Sequence, residues 1–214
     1  MSDTGVIAYF GTGKYEVSAD ISDVNVQRLY AVLDVGTRSG TPSTALVADA
    51  NLTNATNSST GSSSTTLLTS GWYIDLKLDA NGEPGSGNTA AGARVLYPGV
   101  LTNGIYFVTV FTPTAQVCDL GGLATLMAVN ASTGSPLGAP VLDINNDGVV
   151  DSSDVRSGQP ARAVTLGTGV PSQPVMDAER QTLIVQTSDT QLHPVKISTG
   201  GSAVTADRWK ILNR

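Results

Sequence analysis

Apolar and β-branched residues recur along the chain in runs of four to eight, most of them closed by a glycine-containing turn. Nowhere does an apolar stripe with a 3.6-residue period extend over three helical turns. Short runs of this kind, bounded by turn residues, are the signature of strands, so the sequence predicts an all-β fold. The predicted strands cover residues 5–10, 28–34, 71–78, 94–98, 105–111, 125–130, 163–166, 182–187, 192–197 and 208–212. Asn103-Gly104, ahead of the apolar run at Ile105, marks a tight hairpin, because a type I′ turn needs two residues that tolerate positive φ. Trp72, Tyr73, Tyr106 and Phe107 are expected in the core of this β structure rather than on a ligand platform.

Four strands end alike, each passing through a polar turn to a closing glycine: Gly40, Gly82, Gly134 and Gly200. The intervals are 42, 52 and 66 residues, close to the ~40–50 residues of a four-stranded propeller blade, with insertions in the longer ones. The pattern predicts one domain over residues 1–214, an irregular or partial β-propeller of about four blades. Between residues 51 and 70, twelve of twenty positions are Ser or Thr and none is charged. Such a stretch has little to bury except around Leu67-Leu68, so it reads as a surface loop. Asn51, Asn54, Asn57 and Asn130 lie in N-x-S/T triplets, which are common by chance in so Ser/Thr-rich a chain.

Composition then narrows the function classes. The chain has 214 residues, a formal net charge of −6 and no Lys/Arg cluster, which gives it no electrostatic footprint for a nucleic-acid backbone. No apolar run is long enough to span a membrane, and the first residues lack the basic and apolar regions of a signal peptide. The single cysteine, Cys118, permits no internal disulfide or Cys-rich zinc site and reads as a small buried apolar side chain. The single histidine, His193, reads as a strand-end residue, and no G-x-S-x-G elbow supplies a serine for a triad built on it. Gly11-Thr12-Gly13-Lys14 lacks the spacing of a phosphate loop, and Tyr15 stands where that loop needs Ser or Thr. No catalytic constellation emerges, and the chain reads as non-enzymatic.

One segment carries chemistry. Residues 143–154, Asp-Ile-Asn-Asn-Asp-Gly-Val-Val-Asp-Ser-Ser-Asp, match D-x-[DN]-x-[DN]-G followed by further oxygen donors. Calcium takes six to eight oxygens at roughly 2.3–2.6 Å, and this spacing offers side-chain oxygens at loop positions 1, 3, 5 and 9 with a carbonyl at position 7. The candidate ligands are therefore Asp143, Asn145, Asp147, Asp151 and the carbonyl of Val149. Asp154 occupies position 12, where an EF-hand carries a bidentate Glu. Ile144, Val149 and Val150 are expected to anchor the loop to a core. Four carboxylates in twelve residues repel one another unless a cation is bound, which weighs against a plain β-turn. Gly158 and Pro160 exclude the helix that follows the loop in an EF-hand, so the segment reads as an EF-hand-like calcium loop inserted between strands.

Several segments together resemble the C-terminal propeller domain of the PilY/PilC family of type IV pilus biogenesis factors, which are pilus-tip-associated adhesins. They are Tyr9-Phe10-Gly11-Thr12-Gly13-Lys14-Tyr15, the run from Gln27 to Asp34, Gly71 to Leu76, and Phe107 to Thr114 leading to Cys118 and Gly121-Gly122. The acidic loop and Arg208-Trp209-Lys210-Ile211-Leu212 follow in the family's order. The resemblance implies an irregular propeller with a calcium loop whose occupancy bears on pilus extension and retraction, with the same five ligands. It implies minor pilins or a host or surface receptor as partners, and a location outside the cell, at the pilus tip or outer membrane. The chain starts in the middle of the family's propeller pattern, so earlier blades are missing, and a truncated ring leaves strand edges open to pairing with another chain. Two other classes compete with this reading: a carbohydrate-associated or surface-layer β module with a purely structural calcium site, and a quinoprotein-like propeller enzyme.

Overall fold

The computed structural model describes residues 6–34, 51–58, 70–114 and 121–200. Its regular structure is almost entirely strand, with one turn of 3-10 helix at Ser18–Ile21 between the first two strands. The first sheet contains β1 (Val6–Gly11), β2 (Arg28–Asp34), β3 (Thr53–Asn54) and β4 (Gly71–Asp75), in the order β1-β2-β4-β3. Within it β3 is parallel to β4 and the other pairs are antiparallel. The second sheet holds β5 (Val100–Thr102), β6 (Ile105–Pro113), β7 (Gly122–Asn130) and β10 (Ala163–Thr168), in the order β10-β7-β6-β5. The third is the meander of β11 (Val175–Asp177), β12 (Thr182–Gln186) and β13 (Leu192–Lys196), and β8 (Val155–Arg156) pairs with β9 (Gln159–Pro160) in a two-stranded ladder. Among the described residues none of these sheets closes on itself.

The second sheet lies between the other two and buries both faces. Tyr106, Val108 and Val110 of β6, with Met127 and Val129 of β7, pack with Leu29, Ala31, Trp72 and Ile74 of the first sheet. Phe107, Leu126 and Ala128 face the other way and pack with Leu183, Val185, Leu142 and Ile197. A strand covered on both faces gains from apolar side chains at successive positions, which is why β6 reads Ile-Tyr-Phe-Val rather than alternating with polar residues. Tyr106 and Phe107 are therefore both buried, as is Trp72, whereas Tyr73 is turned outward beside Tyr30, its ring 6.1 Å away. Gly134, at φ +68°, lies under Trp72, and a Cβ there would come within 2.7 Å of the indole.

The Asn103-Gly104 hairpin joins β5 to β6 with φ values of 46° and 76°. Residues 94–98, expected as a strand, make only the isolated bridge Arg94↔Phe111. Val95 packs at Gly11, and the chain then turns away at Gly99, whose N–H is bonded by the Tyr106 hydroxyl oxygen. Five short strands lie outside the predicted ranges: β3, β5, β8, β9 and β11, β5 being signalled only through the Asn103-Gly104 turn. The first falls inside the Ser/Thr-rich stretch, where Leu52, Ala55 and Thr56 are buried against the first sheet. The expected strand at 208–212 and Cys118 lie outside the described residues.

Turns are held by aspartates. Asp20 accepts the N–H groups of Glu16 and Val17 at 2.8 and 3.0 Å, and these bonds hold its carboxyl below its ordinary value. The Arg180 N–H does the same for Asp177. For Asp189 the main cause is the Thr187 hydroxyl, which also lies 2.9 Å from Nε2 of His193, the second residue of β13. Because the folded state depresses all three values, their contribution is present above the ordinary pKa of 3.8 and is lost as pH falls below it. Thermal melts are accordingly expected to move to lower temperature as pH falls below that value. Asp20→Asn is expected to flatten part of this dependence, and an unchanged profile in that variant would remove Asp20 from the account.

Candidate metal centre

The acidic loop hangs between the strand-like segment at Val141-Leu142 and β8. Leu142 bridges Ile197, and the Asp143 N–H donates to the Lys196 carbonyl at 3.0 Å, so the loop starts from the edge of the third sheet. Ile144 packs against the second core cluster, whereas Val149 is 57% exposed and anchors nothing. The expected anchoring by Val149 is thus corrected: it sits at the outer tip, where position 7 offers its carbonyl and its side chain faces solvent.

Asp143 is buried and accepts from the Asp147 N–H at 3.2 Å and from the Gly148 N–H at 2.9 Å, one on each oxygen. Asn145 Oδ1 also accepts the Asp147 N–H, at 2.9 Å, while its amide nitrogen donates to Asp147 Oδ2 and Ser153 Oγ. Asp147 Oδ1 takes the Val149 N–H at 2.9 Å, and Asp151 Oδ1 takes the Ser153 N–H at 2.7 Å. The latter bond is the first cause that lowers the Asp151 carboxyl pKa. Gly148 makes the sharp turn at φ +89°, a conformation that a side chain would strain.

Asp154 plays a part that the spacing rule did not disclose. It is completely buried, and its two oxygens accept the Ile144 N–H at 2.8 Å and the Asp151 N–H at 2.9 Å. It therefore clasps the start of the loop to its end. The only sequence signal was its place at position 12. A cleft of about 500 Å³ separates the loop from the third sheet and is lined by Asp143, Asp147, Asp177, Arg180 and Lys196. Arg180 is paired there with Asp177 at 3.2 Å and Lys196 donates to the Arg180 carbonyl at 2.8 Å, so the cleft brings two cations and a third acid to the loop's side.

The donors offered are all oxygens, the chemistry a hard cation requires. The five residues named from spacing lie along one ordered loop, and backbone N–H bonds hold the side chains of Asp143, Asn145, Asp147 and Asp151. Among the described residues no group of three His, Cys, Asp or Glu side chains converges to hold a metal. The loop thus fits calcium in donor type and order, and closing those donors onto one point is the step that an ion would add.

The architecture and the loop together define a class: an all-β module of layered, open sheets with an oxygen-rich acidic loop at a sheet edge. Comparison with known proteins finds similarity in sequence and in fold. A type IV pilus biogenesis factor PilY1 homolog of Xylella fastidiosa is 26% identical over 211 residues, covering 96% of this chain and 16% of the relative. The crystal structure of the Pseudomonas aeruginosa PilY1 C-terminal domain superposes with a TM-score of 0.61 at 22% identity, covering 92% of this chain and 42% of that one. No family model matches the sequence. The chain therefore resembles the PilY1 C-terminal domain, in sequence along nearly its whole length and in fold, while spanning only a small part of the full-length relative.

Proposed function

We propose that this chain is a calcium-binding module of a type IV pilus-associated surface protein, acting in pilus biogenesis, in the control of extension and retraction, or in adhesion. The observation that carries the reading is the 26% identity to a PilY1 homolog across 96% of the chain, and an ordered loop of oxygen donors accompanies it. On this reading the open sheets are blades of a larger irregular propeller, the partners are minor pilins or a surface receptor, and the module works outside the cell without catalysing a reaction. Among the described residues no helix is long and apolar enough to cross a membrane.

Calcium would be held by Asp143, Asn145, Asp147, Asp151 and the Val149 carbonyl, and when bound it supplies charge neutralisation and cross-linking of the loop. A ligand that binds only the folded form stabilises it by RT ln(1 + [L]/Kd), about 2.7 kcal/mol at a hundredfold excess over Kd. Melts with calcium and with chelator are expected to differ by several degrees for the natural chain and to coincide for Asp147→Ala. A natural chain whose midpoint ignores saturating calcium would remove the cation from this reading. The pilus role is tested separately, by pilus extension in cells carrying the Asp147→Ala allele of the parent gene.

A further inference from the structure

The exit of the acidic loop is tied to the first sheet by a cluster of three charged side chains. Immediately after Asp154 comes β8, and Arg156 Nη1 reaches three acceptors: Glu83 Oε1 at 3.0 Å, the Asn81 carbonyl at 3.2 Å and the Ala163 carbonyl at 2.6 Å. The same Glu83 oxygen also accepts the Arg162 N–H at 2.9 Å and the Ala163 N–H at 3.2 Å. Arg162 is buried and extends its guanidinium to the carbonyls of Ala55, Thr56 and Pro84. Residues 55 and 56 are in turn locked to β4, through the Ala55 N–H to Tyr73 and the Thr56 hydroxyl oxygen to the Asp75 N–H. Burial raises the Glu83 carboxyl above its usual value and brings Arg162 down to about 10, so Arg162 remains a cation at neutral pH.

The cluster thus bridges two distant places. At one end is the loop clasp made by Asp154, two residues before Arg156. At the other is the seat of residues 53–57, with Arg162 and Ala55 lying 107 positions apart in sequence. Between them the ladder β8–β9 has only two residue pairs, so apart from the Asp154 clasp at one end and β10 at the other, this cluster is what ties the loop's exit to residues 55 and 56. Arg156 lies two residues after Asp154, and the Glu83 oxygen it meets is the one that also holds the Arg162 and Ala163 N–H groups.

We propose that Glu83, Arg156 and Arg162 form a coupling element through which cation binding at the acidic loop tightens the seat of residues 53–57 in the first sheet. This rests on the loop's reading as a cation site. Coupling of this kind is reciprocal, so weakening the cluster must weaken the cation's affinity in turn. The test uses the full chain and calcium alone, with calorimetric titration and hydrogen exchange of the natural chain, Glu83→Gln and Arg156→Gln. Glu83→Gln keeps an oxygen acceptor for the two N–H groups and removes only the charge, so it guards against simple loss of folding. Calcium is expected to slow exchange at residues 53–57 in the natural chain. In both variants affinity is expected to fall by about fivefold or more, with protection kept at the loop and lost at 53–57. Variants that bind with natural affinity and still transmit protection to 53–57 would overturn the coupling alone. A natural chain that binds no calcium would overturn the cation-site reading, and the coupling with it.

Discussion

Trp72→Ala is expected to lower the unfolding free energy by about 3–5 kcal/mol, the range for removing a large aromatic side chain from a core. The indole is 1% exposed and stands where the first and second sheets meet, among Leu29, Val108, Met127 and Val129. Its Nε1 donates to the Ala131 carbonyl at 3.0 Å, which also accepts the Tyr9 hydroxyl at 2.9 Å. Truncation therefore opens a cavity between two sheets and removes one of two bonds that tie the turn after β7 to the first sheet. Since a domain of this kind holds only about 5–15 kcal/mol in all, the variant would retain a small margin or none. Trp72→Phe keeps most of the volume and leaves the Tyr9 bond in place, so it is expected to cost about 1–2 kcal/mol. Urea unfolding followed by circular dichroism separates the two, at unchanged slope. Equal midpoints for Trp72→Ala and Trp72→Phe would show that the indole's volume does not hold the sheets together.

The same packing explains which parts of the fold can be read from the chain. Strands β1, β2, β6 and β7 carry enough consecutive apolar residues to announce themselves, and Asn103-Gly104 announces its turn through the positive φ both residues adopt. Strands β3, β8, β9 and β11 have two or three residues each. No periodicity exists at that length, and a partner strand decides their pairing. Residues 94–98 fail for the opposite reason. They carry a strand-like composition, but the Arg94 side chain is committed to holding loops and the segment pairs only at Arg94, with Phe111.

At the candidate site the division is similar. The donor spacing from Asp143 to Asp151 is local, so the sequence displays it. The Asp154 clasp, the cations Arg180 and Lys196 across the cleft, and the tie through Arg156 to Glu83 join residues 10 to 73 positions apart or lie on different sheets. Pattern reading has no access to such pairs. Charge counting along the loop consequently covers only its own residues, whereas Asp177, Arg180 and Lys196 enter the same cleft from elements that only the fold brings near.

Arg94→Ala is expected to cost roughly 3–5 kcal/mol, with a local signature that distinguishes it from a core cavity. The side chain is 1% exposed, and although its charge also reaches Asp20, its guanidinium donates to three backbone carbonyls. Those carbonyls belong to Lys14, Asp23 and Gly92, so one side chain holds both ends of the excursion between β1 and β2 and fastens them to the segment leading into β5. Each buried acceptor left unpaired costs about 1–3 kcal/mol, and the cost falls on a loop with few core residues of its own. Arg94→Lys keeps the charge but presents one ammonium where three directions must be satisfied, so it is expected to recover less than half of the loss. Hydrogen exchange should quicken over residues 12–27 in both variants while β6 and β7 keep their protection, because the Arg94 N–H and carbonyl bonds to Phe111 are backbone bonds that survive the substitution. Uniform quickening across all three sheets would mean that Arg94 supports the whole fold rather than this excursion. Full recovery by lysine would mean that its charge, not its forked geometry, is what the loops require.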